Sequence, residues 1–245
     1  MMNGQQHLLE ICVFNIATAI AAQDAGADRL ELCENYANGG TTPSYGTLRV
    51  IREKITIPVF TMIRPRGGDF DCSADEFEAM KKDVLLCKEL GFEGVVIGIL
   101  TPEGKIDIER NSILVELAYP LEVTFHRAFD RCAAPFQALE DIIGCGCQRI
   151  LTSGQKATAI EGQQLIQQLV QKADERIIIM PGSGVKSTNI AGLKAVTGAT
   201  EFHTSARKLF AGGMQFINHD IEEEHLIDGV NTEEIKALKQ IIATF

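Results

Sequence analysis

Two short segments repeat one pattern of reactive side chains: Leu9-Glu10-Ile11-Cys12 and Leu30-Glu31-Leu32-Cys33. If both are strands, period-two alternation sends the aliphatics to one face and Glu10, Cys12, Glu31 and Cys33 to the other. Paired carboxylates on a common wall can act as acid and base, because like charge or a dry environment separates their pKa values. The same carboxylates could instead be neutralised by arginine, with Arg64 and Arg127 available. Cys12 and Cys33 would offer the soft thiolates that Cu(I) prefers, whereas zinc ordinarily wants four ligands; buried structural cysteine is the plainer alternative.

Two longer blocks carry cations. In Ile63-Arg64-Pro65-Arg66-Gly67-Gly68-Asp69-Phe70, arginine forks suited to carboxylate or phosphate stand beside glycines that let a backbone approach closely. A salt-bridged turn is the simpler alternative. In Thr124-Phe125-His126-Arg127-Ala128-Phe129-Asp130, alternation turns His126 inward with Thr124, making it an acid/base candidate beside Glu10 and Glu31. Three donor-rich turns follow, with Ser153 and Gly154, with Gly182 and Gly184, and with Ser205. Together with Arg64, Arg66, Asp69, Arg127 and Asp130, and with Lys186 and Arg207 nearby, they outline a site for a small anion.

These residues need a scaffold that gathers strand ends. Apolar runs at Leu8–Cys12, Arg29–Cys33, Pro58–Arg64, Gly94–Leu100, Leu121–His126, Arg149–Ser153, Ile177–Pro181 and Thr200–Thr204 predict eight strands. Helical periodicity fills the gaps at Asn15–Ala25, Tyr45–Lys54, Ala74–Leu90, Ile108–Ala118, Phe136–Ile143, Thr158–Lys172 and Ser187–Val196. An eighth helix begins after Thr232 and buries Ile235, Leu238, Ile241 and Ile242. Eight such units predict one α/β domain over residues 1–245, a closed (β/α)8 barrel with its site at the C-terminal strand ends, in preference to an open doubly wound sheet. Neither a dinucleotide G-x-G-x-x-G nor a Walker loop is present; Gly182-Ser-Gly-Val-Lys-Ser lacks the adjacent Gly-Lys.

Three further segments carry weaker expectations. The connection from Ala206 to Asn231 is too long for an idle loop and is expected to cover the mouth or join a subunit contact. Gly144-Cys145-Gly146-Cys147 falls in the turn before strand six, on the opposite barrel face. The acidic run Glu222-Glu223-Glu224, with His219 and His225, lacks an H-E-x-x-H pattern and is expected to face solvent.

Twenty-three Lys and Arg against 33 Asp and Glu give a net charge of −10, which opposes non-specific binding to nucleic acid or an anionic membrane. The N-terminus has no basic segment leading into an apolar one, and no apolar run approaches the roughly 20 residues of a membrane span. Seven cysteines without zinc-ribbon spacing read as reduced thiols of a cytoplasmic protein.

The blocks Ile63–Phe70 and Thr124–Asp130, together with Leu9-Glu-Ile-Cys12, Gly26-Ala-Asp-Arg29 leading to Glu31-Leu-Cys33, Gly39-Gly40, Thr42-Pro-Ser44, Leu151-Thr-Ser-Gly-Gln155 and Gly182-Ser-Gly-Val185, resemble the CutC family of copper homeostasis proteins. The resemblance spans most of the chain and is weakest over the last forty residues. It implies a cytoplasmic TIM barrel, a homo-oligomer, a pocket of Glu, Arg and His, and an association with copper, with Cu(I) as the expected ligand of Cys12 and Cys33. The residues themselves describe a different function: an enzyme, or a noncatalytic binding module, for a phosphorylated or carboxylated small molecule.

Overall fold

The barrel strands are four to six residues long and buried almost throughout, so none could persist without neighbours on both sides. A computed structural model describes residues 7–218, 220 and 225–245. The chain runs β1 (Leu8–Val13), α1 (Ile16–Asp24), β2 (Arg29–Leu32), α2 (Tyr45–Lys54), β3 (Val59–Met62), α3 (Ala74–Glu89), β4 (Gly94–Ile97), α4 (Ile108–Ala118), β5 (Glu122–Phe125), α5 (Pro135–Cys145), β6 (Arg149–Thr152), α6 (Gln163–Ala173), β7 (Ile178–Pro181), α7 (Ile190–Thr197) and β8 (Glu201–Thr204). A hairpin of β9 (Arg207–Ala211) and β10 (Leu226–Val230) follows, then α8 (Thr232–Ile242).

The sheet order is β7-β6-β5-β4-β3-β2-β1-β8, with every pairing parallel. Because β1 pairs with β2 and β8 alike, the sheet curls into a barrel ringed by helices, and the eight βα units expected from sequence are all present. Closure is nearly complete rather than complete. Among the described residues β7 and β8 share no hydrogen-bonded ladder, although Gly182, just past β7, sits against His203 of β8. Register sets the chemistry: Glu10 stands opposite Arg29 on one side and His203 on the other.

Helix starts follow capping chemistry. Asn15 and Thr18 form a reciprocal capping box for α1, as Ser73 and Glu76 do for α3. The outer faces of the strands and the inner faces of the helices share one apolar layer, with Leu9, Ile11, Leu30, Leu32, Phe125 and Phe202 fully enclosed.

Other expectations shift. Helix α6 begins at Gln163 instead of Thr158, because Gly162 packs its backbone directly against Ser153 and Gly154. Cys145 closes α5 and Gly146 caps it with φ 91°, so only the end of the Cys-x-Cys pair lies in a turn; both thiols are buried. Within the connection 206–231, expected to cover the mouth or join a subunit contact, the described residues include the two paired strands β9 and β10. At its base Arg207 lies 3.8 Å over the Tyr36 ring and pairs with Asp228, while Leu209, Phe210, Leu226 and Ile227 further out are exposed. His225 is exposed, and His219 with Glu222, Glu223 and Glu224 falls outside the described residues. No helix is long and apolar enough to cross a membrane among the described residues.

Candidate functional site

A buried lattice of charge forms the lower wall of the barrel. Arg29 donates Nε to Glu10 and Nη2 to Glu201 Oε2 at 2.6 Å, and Arg149 donates Nε to the same Glu201 oxygen at 2.8 Å. Both guanidiniums lie over the Phe60 ring, at 4.8 and 5.1 Å from its centroid. Burial would raise the pKa of Glu10, which is wholly enclosed, but Arg29 and His203 override it and hold the carboxyl down at about 2. Glu10 is therefore a fixed anion, used up by Arg29 and His203.

Above it, His203 Nδ1 lies 2.7 Å from Glu10 Oε1 and its Nε2 faces Glu31 Oε2 at 3.9 Å. Burial works against the charged imidazole, yet Glu31 and Glu10 together raise its pKa. Glu31 moves the other way: burial raises its pKa, and the proximity of His203 only partly opposes that. Its Oε2 accepts the Cys33 thiol at 3.5 Å, while Oε1 is buried with no partner. Adjacent carboxyls are thus shifted in opposite directions, Glu10 downward and Glu31 upward.

The two thiols meet as alternation predicts. Cys12 Sγ lies 3.7 Å from Cys33 Sγ, among Phe60, Met62 and Val96. The thiol contact with Cys33 and burial push Cys12 well up, and burial pushes Cys33 up to about 12, so both are protonated at neutral pH. Cys12, Cys33 and Glu31 offer donor atoms all within 4.8 Å of one another, as do Glu10, Glu31 and His203.

The opposite wall carries Arg64 and His126. Arg64 is buried and donates to the carbonyls of Asn38 at 2.7 Å, Gly40 at 3.0 Å and Gly68 at 3.0 Å; its Nε has no partner. No carboxylate among the described residues comes within ion-pair distance of it. Phe70 spans from Arg64, 4.8 Å to the guanidinium carbon, to His126, 5.1 Å between ring centroids. His126 Nδ1 accepts the Ala128 N–H at 3.1 Å, and Nε2 is buried without a partner. Burial, reinforced by Arg64, lowers the His126 pKa to about 3, so the ring is neutral and its single N–H is on Nε2. These walls enclose a cavity of about 480 Å³, bordered also by Glu31, Cys12, His203 and Arg127.

Other expected ligand residues are occupied elsewhere. Arg66 pairs with Asp69 and Glu76 at the surface, so the salt-bridged turn describes it and both Arg66 and Asp69 lie outside the cavity lining. Arg127 lines the cavity but donates to Asp130 and Ser153. Asp130 in turn accepts from the Thr152 hydroxyl, from Ser153 through both N–H and hydroxyl, and from the Gln155 N–H. The nest at Ser153 and Gly154 is thus filled by a carboxylate of the same chain, which corrects the expectation that an external anion takes it. Gly182 is bonded through its N–H to Thr152 O and stands back from the lining, whereas Gly184 and Ser205 reach it.

Arg64 and Arg127 do not neutralise Glu10 or Glu31. Arg29, His203, Glu201 and Arg149 were missed by the sequence reading, although Arg29 shares a strand face with Glu31 and Cys33, and Glu201 and His203 share one with Ser205. The available signal was the same alternation, applied below the strand ends.

The CutC family profile matches residues 7–208. A family protein CutC from Chromobacterium violaceum is 46% identical over 241 residues, covering 96% of this chain and 98% of that protein. A human protein named copper homeostasis protein cutC homolog is 47% identical over 214 residues, 87% of this chain and 78% of its own. The solved structure of a CutC protein from Streptococcus agalactiae superimposes with TM-score 0.76 at 36% identity, covering 82% of this chain and 99% of that one. Phosphoribosylanthranilate isomerase from Thermotoga maritima, at 12% identity and TM-score 0.59, shares the barrel fold alone. With the profile spanning most of the chain and relatives this similar, the chain belongs to the CutC family.

Proposed function

We propose that the cavity binds a small phosphorylated or carboxylated molecule and performs acid–base chemistry on it. The observation that carries this reading is Arg64, a buried guanidinium whose hydrogen bonds all go to neutral carbonyls and which has no carboxylate beside it among the described residues. A buried charge of that kind is stabilised by an anion from outside. Glu31 is the proton carrier of the site: burial favours its acid form, and one oxygen is free of any partner at the cavity wall. His203, itself bound to Glu10, stands 3.9 Å from Glu31 and opposes the effect of burial on its proton affinity. Mass spectrometry of small molecules retained by the purified protein tests the reading. An anion near one per chain, lost from Arg64→Gln, supports it; equal retention by both proteins contradicts it.

A second reading is favoured by the 3.7 Å contact between Cys12 and Cys33 and by the copper homeostasis name of the relatives. Two thiols with a carboxylate alongside suit Cu(I) in donor chemistry, provided the ion displaces the thiol protons that burial retains. This would be binding of a copper cargo, and it draws on Glu31 as well, so the two ligands compete. Stoichiometric Cu(I) binding abolished by Cys12→Ser with Cys33→Ser supports it; tight binding that survives the double change rules it out. Seven free thiols fit a cytoplasmic location, and a homo-oligomer is the assembly expected of the family.

A further inference from the structure

We propose that His126 is the electrophile of this cavity: the ligand is a small carbonyl compound with an anionic group, and its carbonyl oxygen accepts the His126 Nε2–H while its anion meets Arg64. The inference rests on the acid–base reading above and names its substrate class.

Three observations converge on the imidazole. Its Nδ1 is committed to the Ala128 N–H at 3.1 Å, which fixes the tautomer and leaves the proton on Nε2. That N–H is buried and has no acceptor, and the residue that carries it lines the cavity, whereas a histidine serving only the core would use both nitrogens. Space for the ring depends on Gly98, where a Cβ would stand 2.4 Å from Nδ1 and Cε1. A neutral donor beside an arginine suits an uncharged oxygen that gains negative charge during reaction. This is the use other barrels make of a neutral histidine next to a carbonyl.

The chemistry balances without an oxidant or reductant. Glu31, as its carboxylate, takes the proton from the carbon next to the carbonyl. The C–H electron pair becomes the new C=C bond, and the carbonyl π pair moves to the oxygen held by His126 Nε2–H. Returning the proton to the same carbon exchanges it with solvent. In an α-hydroxy carbonyl compound, the hydroxyl proton is passed to the former carbonyl oxygen while the proton on Glu31 returns to the former carbonyl carbon; the old C–O becomes the new C=O, which isomerises the compound.

The test uses the full chain in D2O with pyruvate and dihydroxyacetone phosphate as probes, following loss of the α-proton signals by NMR. Exchange on at least one probe is expected, with kcat falling about 100-fold or more in His126→Ala while KM changes far less. His126→Gln, which keeps an amide donor, should recover part of that loss; melting curves of both variants report folding, and the Gln variant decides if the Ala variant is unfolded. Unchanged kcat in a folded variant overturns the proposal. So does absence of exchange on probes that saturation-transfer NMR shows bound in an Arg64-dependent way, which would leave the anion reading standing. Failure of both probes to bind at all overturns both.

Discussion

His203 Nδ1 lies 2.7 Å from Glu10 Oε1 across the β8–β1 seam, and this contact joins the buried charge lattice to the cavity. Below it Arg29, which shares Glu201 with Arg149, keeps Glu10 ionised. Above it the far nitrogen of the same ring faces Glu31. Arg29 and His203 hold Glu10 down, whereas burial pushes Glu31 up against the same histidine.

Removing the charge of Glu10 should therefore be costly. Glu10→Gln leaves Arg29 and His203 buried with less compensation, an expected loss of about 3–5 kcal/mol measured by urea unfolding at pH 7. The folded pKa of Glu10, about 2 against an ordinary 4.5, contributes stability present above pH 4.5 and lost as pH falls toward 2. That acid-dependent component should be missing in the variant.

His126 supplies the opposite case, a group kept neutral by burial. Its pKa falls from 6.5 ordinarily to about 3, so the unfolded chain takes up a proton below pH 6.5 that the native state refuses. Stability should decline from this source as pH drops from 6.5 toward 3. Unfolding midpoints of His126→Gln across that range should show a shallower decline, and an identical slope would contradict the assignment.

Gly98 leaves no room for a side chain beside His126. Gly98→Ala should displace the imidazole and cost about 1–3 kcal/mol by overpacking, with loss of cavity ligands exceeding the loss of stability. Thermal unfolding and a binding titration read the two effects separately.

Asp130 plugs the nest after β6. Asp130→Ala would strand the Thr152, Ser153 and Gln155 donors, a loss on the order of 3 kcal/mol by denaturant unfolding. A near-neutral result would show that solvent or an outside anion replaces the carboxylate there.

The barrel was legible because each βα unit carries its own pattern: alternation at Glu10, Cys12, Glu31 and Cys33, and the apolar stripe of Ile235, Leu238, Ile241 and Ile242, are local signals. What alternation could not show was which arginine meets which carboxylate. Glu10 meets Arg29 and His203 because β1 lies between β2 and β8, a relation that exists only after the sheet curls. Asp130 filling the β6 nest was hidden for a related reason. Sequence displays donors such as Ser153 and Gln155, but it does not show that a single-turn 3-10 helix over Arg127–Arg131 carries a carboxylate of the same chain into them. The hairpin β9–β10 went unseen because Arg207–Ala211 and Leu226–Val230 stand outside the strand-helix alternation that organises the rest.

The central claim is that Arg64 holds an anion in the cavity. Calorimetric titration of inorganic phosphate and of pyruvate into the wild-type protein and Arg64→Gln, at low ionic strength, tests it most directly. One site per chain is predicted for at least one of them, weakened in the variant by about 1.5–3 kcal/mol, roughly tenfold or more, and insensitive to Cys12→Ser with Cys33→Ser. Equal affinity in wild type and Arg64→Gln, or no binding of either anion to the wild-type protein, would contradict it.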